Sequence, residues 1–221
     1  MKQFDFNDTK IITFRGSVGV GKTSIKTELI KLIKAKFPEE VIDIDEPAVH
    51  PLLKGVLAET LESNAKQHND TKNSFQLLML GMKIGQFINI HKIATKHKEM
   101  NVGFVILDRD WQEDKIFMDL YGYKDDPVYF KVYNKLEEAR PNNTISIFVT
   151  SPLDIQLERY SKREGKRIEE VRDYINEVNT MYEQHPEISN PDNNTIVVYN
   201  NGDKTIKEIA KEIFIELFGK L

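Results

Sequence analysis

Cysteine is absent from the chain, which excludes disulfides and thiolate metal sites and fits a reducing compartment. Long apolar runs are absent too. Residues 1–8 are polar and aromatic with no signal-peptide core, and no later stretch approaches the roughly 20 residues that span a bilayer, so the expectation is a cytoplasmic protein without a membrane partner. Neither charge dominates. Thirty-one basic and 35 acidic residues give a net charge of -4, which argues against nucleic acid and leaves small molecules as partners. His50, His68, His91, His97 and His185 lack ligand spacing and read as surface or core residues. There is no internal repeat and no low-complexity tract. What the chain does have is 40% hydrophobic residues over 221 positions, enough for one core and a single domain over 1–221.

One stretch organises the rest. Gly16-Ser17-Val18-Gly19-Val20-Gly21-Lys22-Thr23 fits GxxxxGK[ST], with a β-branched run at 10–15 before it and apolar residues at helical spacing (Ile25, Leu29, Leu32, Ile33) after it. Strand, glycine turn and helix stand in the order that a phosphate cradle needs. The glycines allow successive N–H groups to converge, and the helix N-terminus adds its positive end. Lys22 is expected to reach the β- and γ-phosphates and Thr23 to ligate Mg²⁺, with ATP and Mg²⁺ as cofactors. The plainer alternative is a glycine turn before an ordinary helix.

Further strands are expected at 41–45, 103–108, 144–150 and 195–199, and helices near 22–37, 51–61, 74–99, 111–121, 127–139, 153–162, 168–185 and 204–218. The alternation predicts an α/β fold of P-loop NTPase type, with a largely parallel five-stranded sheet flanked by helices. The helix near 74–99 carries so many apolar residues, Met79 and Met82 among them, that it reads as buried on much of its circumference. Ligands gather at the carboxyl ends of parallel strands. Glu46 lies past one such end, as a base for an attacking hydroxyl or as a solvated acid. Asp108 closes another, placed to hold Mg²⁺ or its water opposite Thr23, and Arg109 beside it is placed to clamp a phosphate oxygen. Without the glycine loop both would read as a surface pair. Arg159, Arg163 and Arg167 recur every fourth residue and read as a short arginine-rich lid over 159–170, on one helical face unless Gly165 interrupts it. Taken alone, residues 162–167 would be a solvated helix end.

Together, Glu46-Pro47-Ala48, Phe75-Gln76, Asp108-Arg109-Asp110, Glu113-Asp114, Ile116-Phe117 and the lid resemble the deoxynucleoside kinases, in order and over nearly the whole chain. The stretch from Asp108 to Phe117 is similar to that of bacterial deoxyadenosine and deoxyguanosine kinases. The resemblance implies that Glu46 is the general base for the 5′-hydroxyl, that Asp108 serves Mg²⁺, and that Arg109 contacts the 5′ end and the base acid. It also implies that Phe75 stacks on the nucleobase, that Gln76 hydrogen-bonds its edge, and that Asp114 and Phe117 belong to the acceptor pocket. Asp114 favours purine or deoxycytidine acceptors over thymidine. Lys83 stands where the family has a base-contacting arginine; it shares a face with Gln76, or is an exposed helix lysine. Arg163 and Arg167 would hold donor phosphates, Lys22, Arg159 and Arg163 would neutralise the transferring group, and Glu170 would meet the sugar 3′-hydroxyl. A homodimer is implied as well. Asp110 departs from the family's Ser or Thr, and Ala65 stands where many members have a sugar-binding tyrosine.

Two rivals share the glycine loop. A thymidylate-type nucleoside monophosphate kinase usually carries Arg-Glu-Pro-Gly-Gly after the second strand, where this chain has Asp45-Glu46-Pro47-Ala48-Val49, with no added positive charge for an anionic acceptor. A nucleotide-binding switch of GTPase type needs NKxD on a loop; Asn134-Lys135-Leu136-Glu137 has Glu for Asp and falls in an expected helix.

Overall fold

The computed structural model describes residues 9–37, 40–45, 81–82, 84–86, 88, 90, 102–109, 111–120, 127–138, 144–186 and 194–219. Five strands form one sheet: β1 (Lys10–Arg15), β2 (Glu40–Ile44), β3 (Val102–Asp108), β4 (Thr144–Thr150) and β5 (Thr195–Tyr199). Their order is β2-β3-β1-β4-β5, and every pairing is parallel. The helices with defined bounds among the described residues are α1 (Lys22–Lys36), α2 (Asp114–Leu120), α3 (Pro127–Glu138), α4 (Leu153–Glu164), α5 (Ile168–Gln184) and α6 (Ile206–Phe218), with a 3₁₀ turn at Trp111–Glu113 leading into α2.

The central strands are buried along their length because helices cover both faces. On one face Ile12, Phe14, Phe104, Ile106, Ile147 and Val149 meet Ile25, Leu29 and Ile33 of α1 and Ile213 and Phe214 of α6. Phe37 ends α1 against this core, its ring 5.1 Å from Phe104 and 5.0 Å from Phe218. On the other face Ile11, Val105 and Leu107 pack with Ile90, while Phe148 meets Ile116 of α2 and Val178 and Tyr182 of α5. Each large side chain so buried contributes roughly 1.5–3 kcal/mol.

The strand expectations agree with the sheet to within a residue or so, and α6 begins at a capping box in which Thr205 and Glu208 satisfy each other's backbone N–H groups. The expected helix near 111–121 opens instead as a 3₁₀ turn and ends at Leu120. The expected helix near 51–61 lies outside the described residues; of the one near 74–99, the described residues within 81–90 are helical and the rest lies outside them. Gly165 takes a left-handed φ of 66° and ends α4, and Arg167 caps α5, so the three lid arginines do not share one helical face. No helix among the described residues is long and apolar enough to cross a membrane.

Candidate active site

The glycine loop joins β1 to α1 at the carboxyl end of the sheet. Gly16 has a φ of 130°, and a Cβ there would stand 2.1 Å from the Val149 carbonyl oxygen of β4, so only glycine fits. Gly21 caps α1 in the left-handed region with no side-chain cap, and the first turn of α1 carries no acid. The helix start therefore keeps its positive end for an anion. Lys22 bends back over the loop, its Nζ donating to the carbonyls of Gly16 at 2.6 Å and Ser17 at 2.8 Å. Ser17 Oγ is buried and has no hydrogen-bond partner among the described residues.

Across the loop Thr23 Oγ1 donates to Asp108 Oδ2 at 3.0 Å. Asp108 is buried, and its Oδ1 has no hydrogen-bond partner among the described residues. One hydroxyl and one carboxylate with an unspent oxygen fit Mg²⁺, which takes hard oxygen donors and keeps waters and substrate phosphates as its other ligands. A cage of three or more His, Cys, Asp or Glu does not occur among the described residues.

Arg109, the residue after Asp108, is the one non-glycine with positive φ among the described residues, at 61°. Its N–H donates to Phe14 at 3.0 Å and extends the β1–β3 ladder past the strand end, while its guanidinium lies 4.7 Å from the Phe117 ring centroid. A left-handed arginine beside a candidate metal ligand is local strain of the kind stored at functional sites. Asp114 opens α2 one turn before Phe117 and is half-buried.

Of the three lid arginines, Arg159 is the one whose hydrogen bonds reach the glycine loop among the described residues. Its Nη1 donates to the Val20 carbonyl at 3.4 Å and its Nη2 to Asn200 Oδ1 at 3.3 Å. Arg163 stacks its guanidinium 4.7 Å from the Tyr160 ring and pairs with Glu164 at 2.7 Å; Arg167 pairs with Glu170 at 2.5 Å, which holds the Glu170 carboxyl below its ordinary range. These two arginines and Glu170 are exposed. Glu46, Phe75, Gln76 and Lys83 lie outside the described residues.

Several residues shape this site without having been given a role from the sequence. Asn200 follows β5, is fully buried, and donates from Nδ2 to the Val20 carbonyl at 2.8 Å; the carboxyl end of β5 was the signal that would have found it. Lys26 is 1% exposed and ties α1 to β2, its Nζ 2.8 Å from Asp43 and 2.6 Å from Asp45. The signal was a lysine among Ile25, Leu29 and Ile30 facing an Asp-x-Asp strand. Burial pulls the Lys26 ammonium down, but the two aspartates outweigh it and leave it above its ordinary value. Glu113 accepts the Gly16 N–H at 2.7 Å and the Tyr182 hydroxyl. Burial pushes its carboxyl up, against the pull of Arg109 and Lys22. Its signal was the i,i+4 spacing from Arg109.

No family model matches the chain, and no curated protein matches it. Among solved structures, thymidylate kinase from Ehrlichia chaffeensis is similar, with a TM-score of 0.55 and 17% identity over 95% of this chain and 98% of that one. The five-stranded parallel sheet flanked by helices is thus the fold of a P-loop kinase.

Proposed function

We propose that the chain is an ATP- and Mg²⁺-dependent kinase that transfers the γ-phosphoryl group to the 5′-hydroxyl of a deoxynucleoside, a purine or deoxycytidine nucleoside in preference to thymidine. The observation that carries phosphoryl transfer is the Thr23–Asp108 contact at 3.0 Å beside the glycine loop, with a buried Asp108 oxygen left over for a cation. Catalysis of this kind is positioning and charge stabilisation. Lys22 exchanges its two loop carbonyls for phosphate oxygens, Thr23 and Asp108 hold the metal or its water, Arg159 and Arg163 meet the transferring group, and Glu46 accepts the hydroxyl proton. Mg²⁺, when bound, neutralises charge on the phosphates. The acceptor assignment rests on the sequence resemblance. It gains support from β2, where the buried cation Lys26 is already matched by Asp43 and Asp45 and adds no net positive charge for an anionic acceptor.

A nucleoside monophosphate as acceptor is the second reading, favoured by the likeness to a thymidylate kinase over 95% of the chain. The switch reading is disfavoured because Asn134 to Glu137 lies within α3, where it cannot form a base-reading loop. ADP release from ATP and Mg²⁺, measured over the four deoxynucleosides and their monophosphates, decides between the acceptors. The expected result is turnover with deoxyadenosine, deoxyguanosine or deoxycytidine that falls at least about 100-fold in Glu46→Gln. Turnover with monophosphates alone establishes the second reading, and hydrolysis that no acceptor stimulates removes both.

A further inference from the structure

Glu113 has no part in the roles above, yet three elements of the site converge on it. Its side chain is 0% exposed. Oε1 accepts the Gly16 N–H at 2.7 Å and the hydroxyl of Tyr182, while Oε2 has no hydrogen-bond partner among the described residues and lies 3.8 Å from Arg109 Nε. Placing a carboxylate out of water is costly unless charge and hydrogen bonds hold it. A mere link between a glycine N–H and a tyrosine needs only a neutral acceptor, so the second oxygen is where the charge has a use. It faces a guanidinium already fixed on one side by the Phe117 ring. Tyr182 lies in α5, the helix that leaves the lid, and packs against Phe148 and Val178.

We infer that Glu113 is a positioning residue for phosphoryl transfer: one oxygen pins the entry of the glycine loop, the other sets the guanidinium of Arg109, and Tyr182 ties both to the helix returning from the lid. The rate effect rests on the kinase reading; the orientation of Arg109 does not, and has its own measurement.

Glu113→Gln keeps an oxygen for the Gly16 N–H and sets an uncharged amide against Arg109, while Tyr182→Phe removes one hydroxyl and leaves the carboxylate. With both variants shown to be folded by circular dichroism, phenylglyoxal modification of Arg109, followed by peptide mass spectrometry, is expected to speed up at least about fivefold in Glu113→Gln and about twofold in Tyr182→Phe, with exposed Arg163 unchanged. In the same Glu113→Gln variant kcat is expected to fall at least about tenfold, while KM for ATP and the dissociation constant of a fluorescent ADP stay within about threefold. In an Arg109→Met background, adding Glu113→Gln is expected to change kcat less than about twofold, because the two residues act as one unit. Equal kcat losses in both backgrounds overturn the inference, as does unchanged Arg109 reactivity. If the wild-type chain phosphorylates no acceptor, the kinase reading falls and Arg109 reactivity alone decides; if Glu113→Gln does not fold, Tyr182→Phe decides.

Discussion

Lys22, Lys26 and Arg109 are each at most 8% exposed and are held by groups from the loop or from other elements, whereas Arg163 and Arg167 are 60% and 80% exposed and pair with acids one and three residues away. The glycine-loop floor and the lid are both cationic, but only the floor is built to stay in one geometry. Its charges sit out of water, where losing a partner is expensive. The lid's pairs are solvated and screened, so a phosphate can replace either acid at little cost. A fixed floor and an exchangeable lid suit a reaction in which the nucleotide is seated first and enclosed afterwards.

Glycines give the sharpest contrast. Gly16→Ala drives a Cβ to 2.1 Å from the Val149 carbonyl at a φ of 130°, whereas Gly165→Ala meets nothing within 4 Å at a φ of 66°. The first is expected to cost about 3–5 kcal/mol and abolish nucleotide binding, the second about 1 kcal/mol from the left-handed backbone alone. Urea unfolding of the two variants makes the test; equal midpoints would mean that the floor can shift as freely as the lid.

Lysines repeat the contrast one step lower. Lys26→Met leaves Asp43 and Asp45 without their cation, yet these are 40% and 63% exposed and water takes up part of the loss, so about 1–3 kcal/mol is expected. Lys31, 64% exposed and paired with Glu28 along the same helix, is expected to cost under about 0.5 kcal/mol when replaced by Met. Because the Lys26 pKa is raised, its contribution is complete below the 10.5 of an ordinary lysine and is lost only as pH rises through the higher folded value. The gap between the two variants should therefore be constant across neutral pH.

This division also marks what could be read in the sequence. The glycine loop, the alternation of strands and helices, and Asp108 at a strand end were legible because each is a local pattern: residue types at fixed spacing, or a continuous apolar run. Thr144–Thr150 and Thr195–Tyr199 were located to the residue for that reason. The contacts of Glu113, Tyr182 and Asn200 were not, since they span 97, 69 and 180 positions and no local spacing names the distant partner. The lid arginines depended on one residue: they were expected on one helical face unless Gly165 interrupts it, and the left-handed glycine at 165 does end the helix.

Acidity tests the floor by its sign. Burial, opposed by Arg109 and Lys22, raises the Glu113 carboxyl above the 4.5 of an ordinary glutamate. Between that value and the higher folded one the native state binds more protons than the unfolded chain, so stability falls as pH rises through the interval. Glu113→Gln does not titrate. Its melting temperature relative to wild type is therefore expected to move in the variant's favour as pH rises above the 4.5 of an ordinary glutamate. Movement in favour of wild type would mean that the cations, and not burial, dominate at this carboxylate.

The smallest effect on stability belongs to the lid. Arg163→Gln and Arg167→Gln are each expected to leave the melting temperature within about 1 °C of wild type, because each removes a solvated local pair. Arg163→Gln should also lower kcat at least about tenfold, since a cation on the transferring group acts only in the transition state. A variant that melts earlier and turns over normally would show that its arginine holds the fold together, and the distinction between a fixed floor and an exchangeable lid would then fail at that residue. A variant that melts normally and turns over slowly separates the two regions by the one property the fold itself does not need.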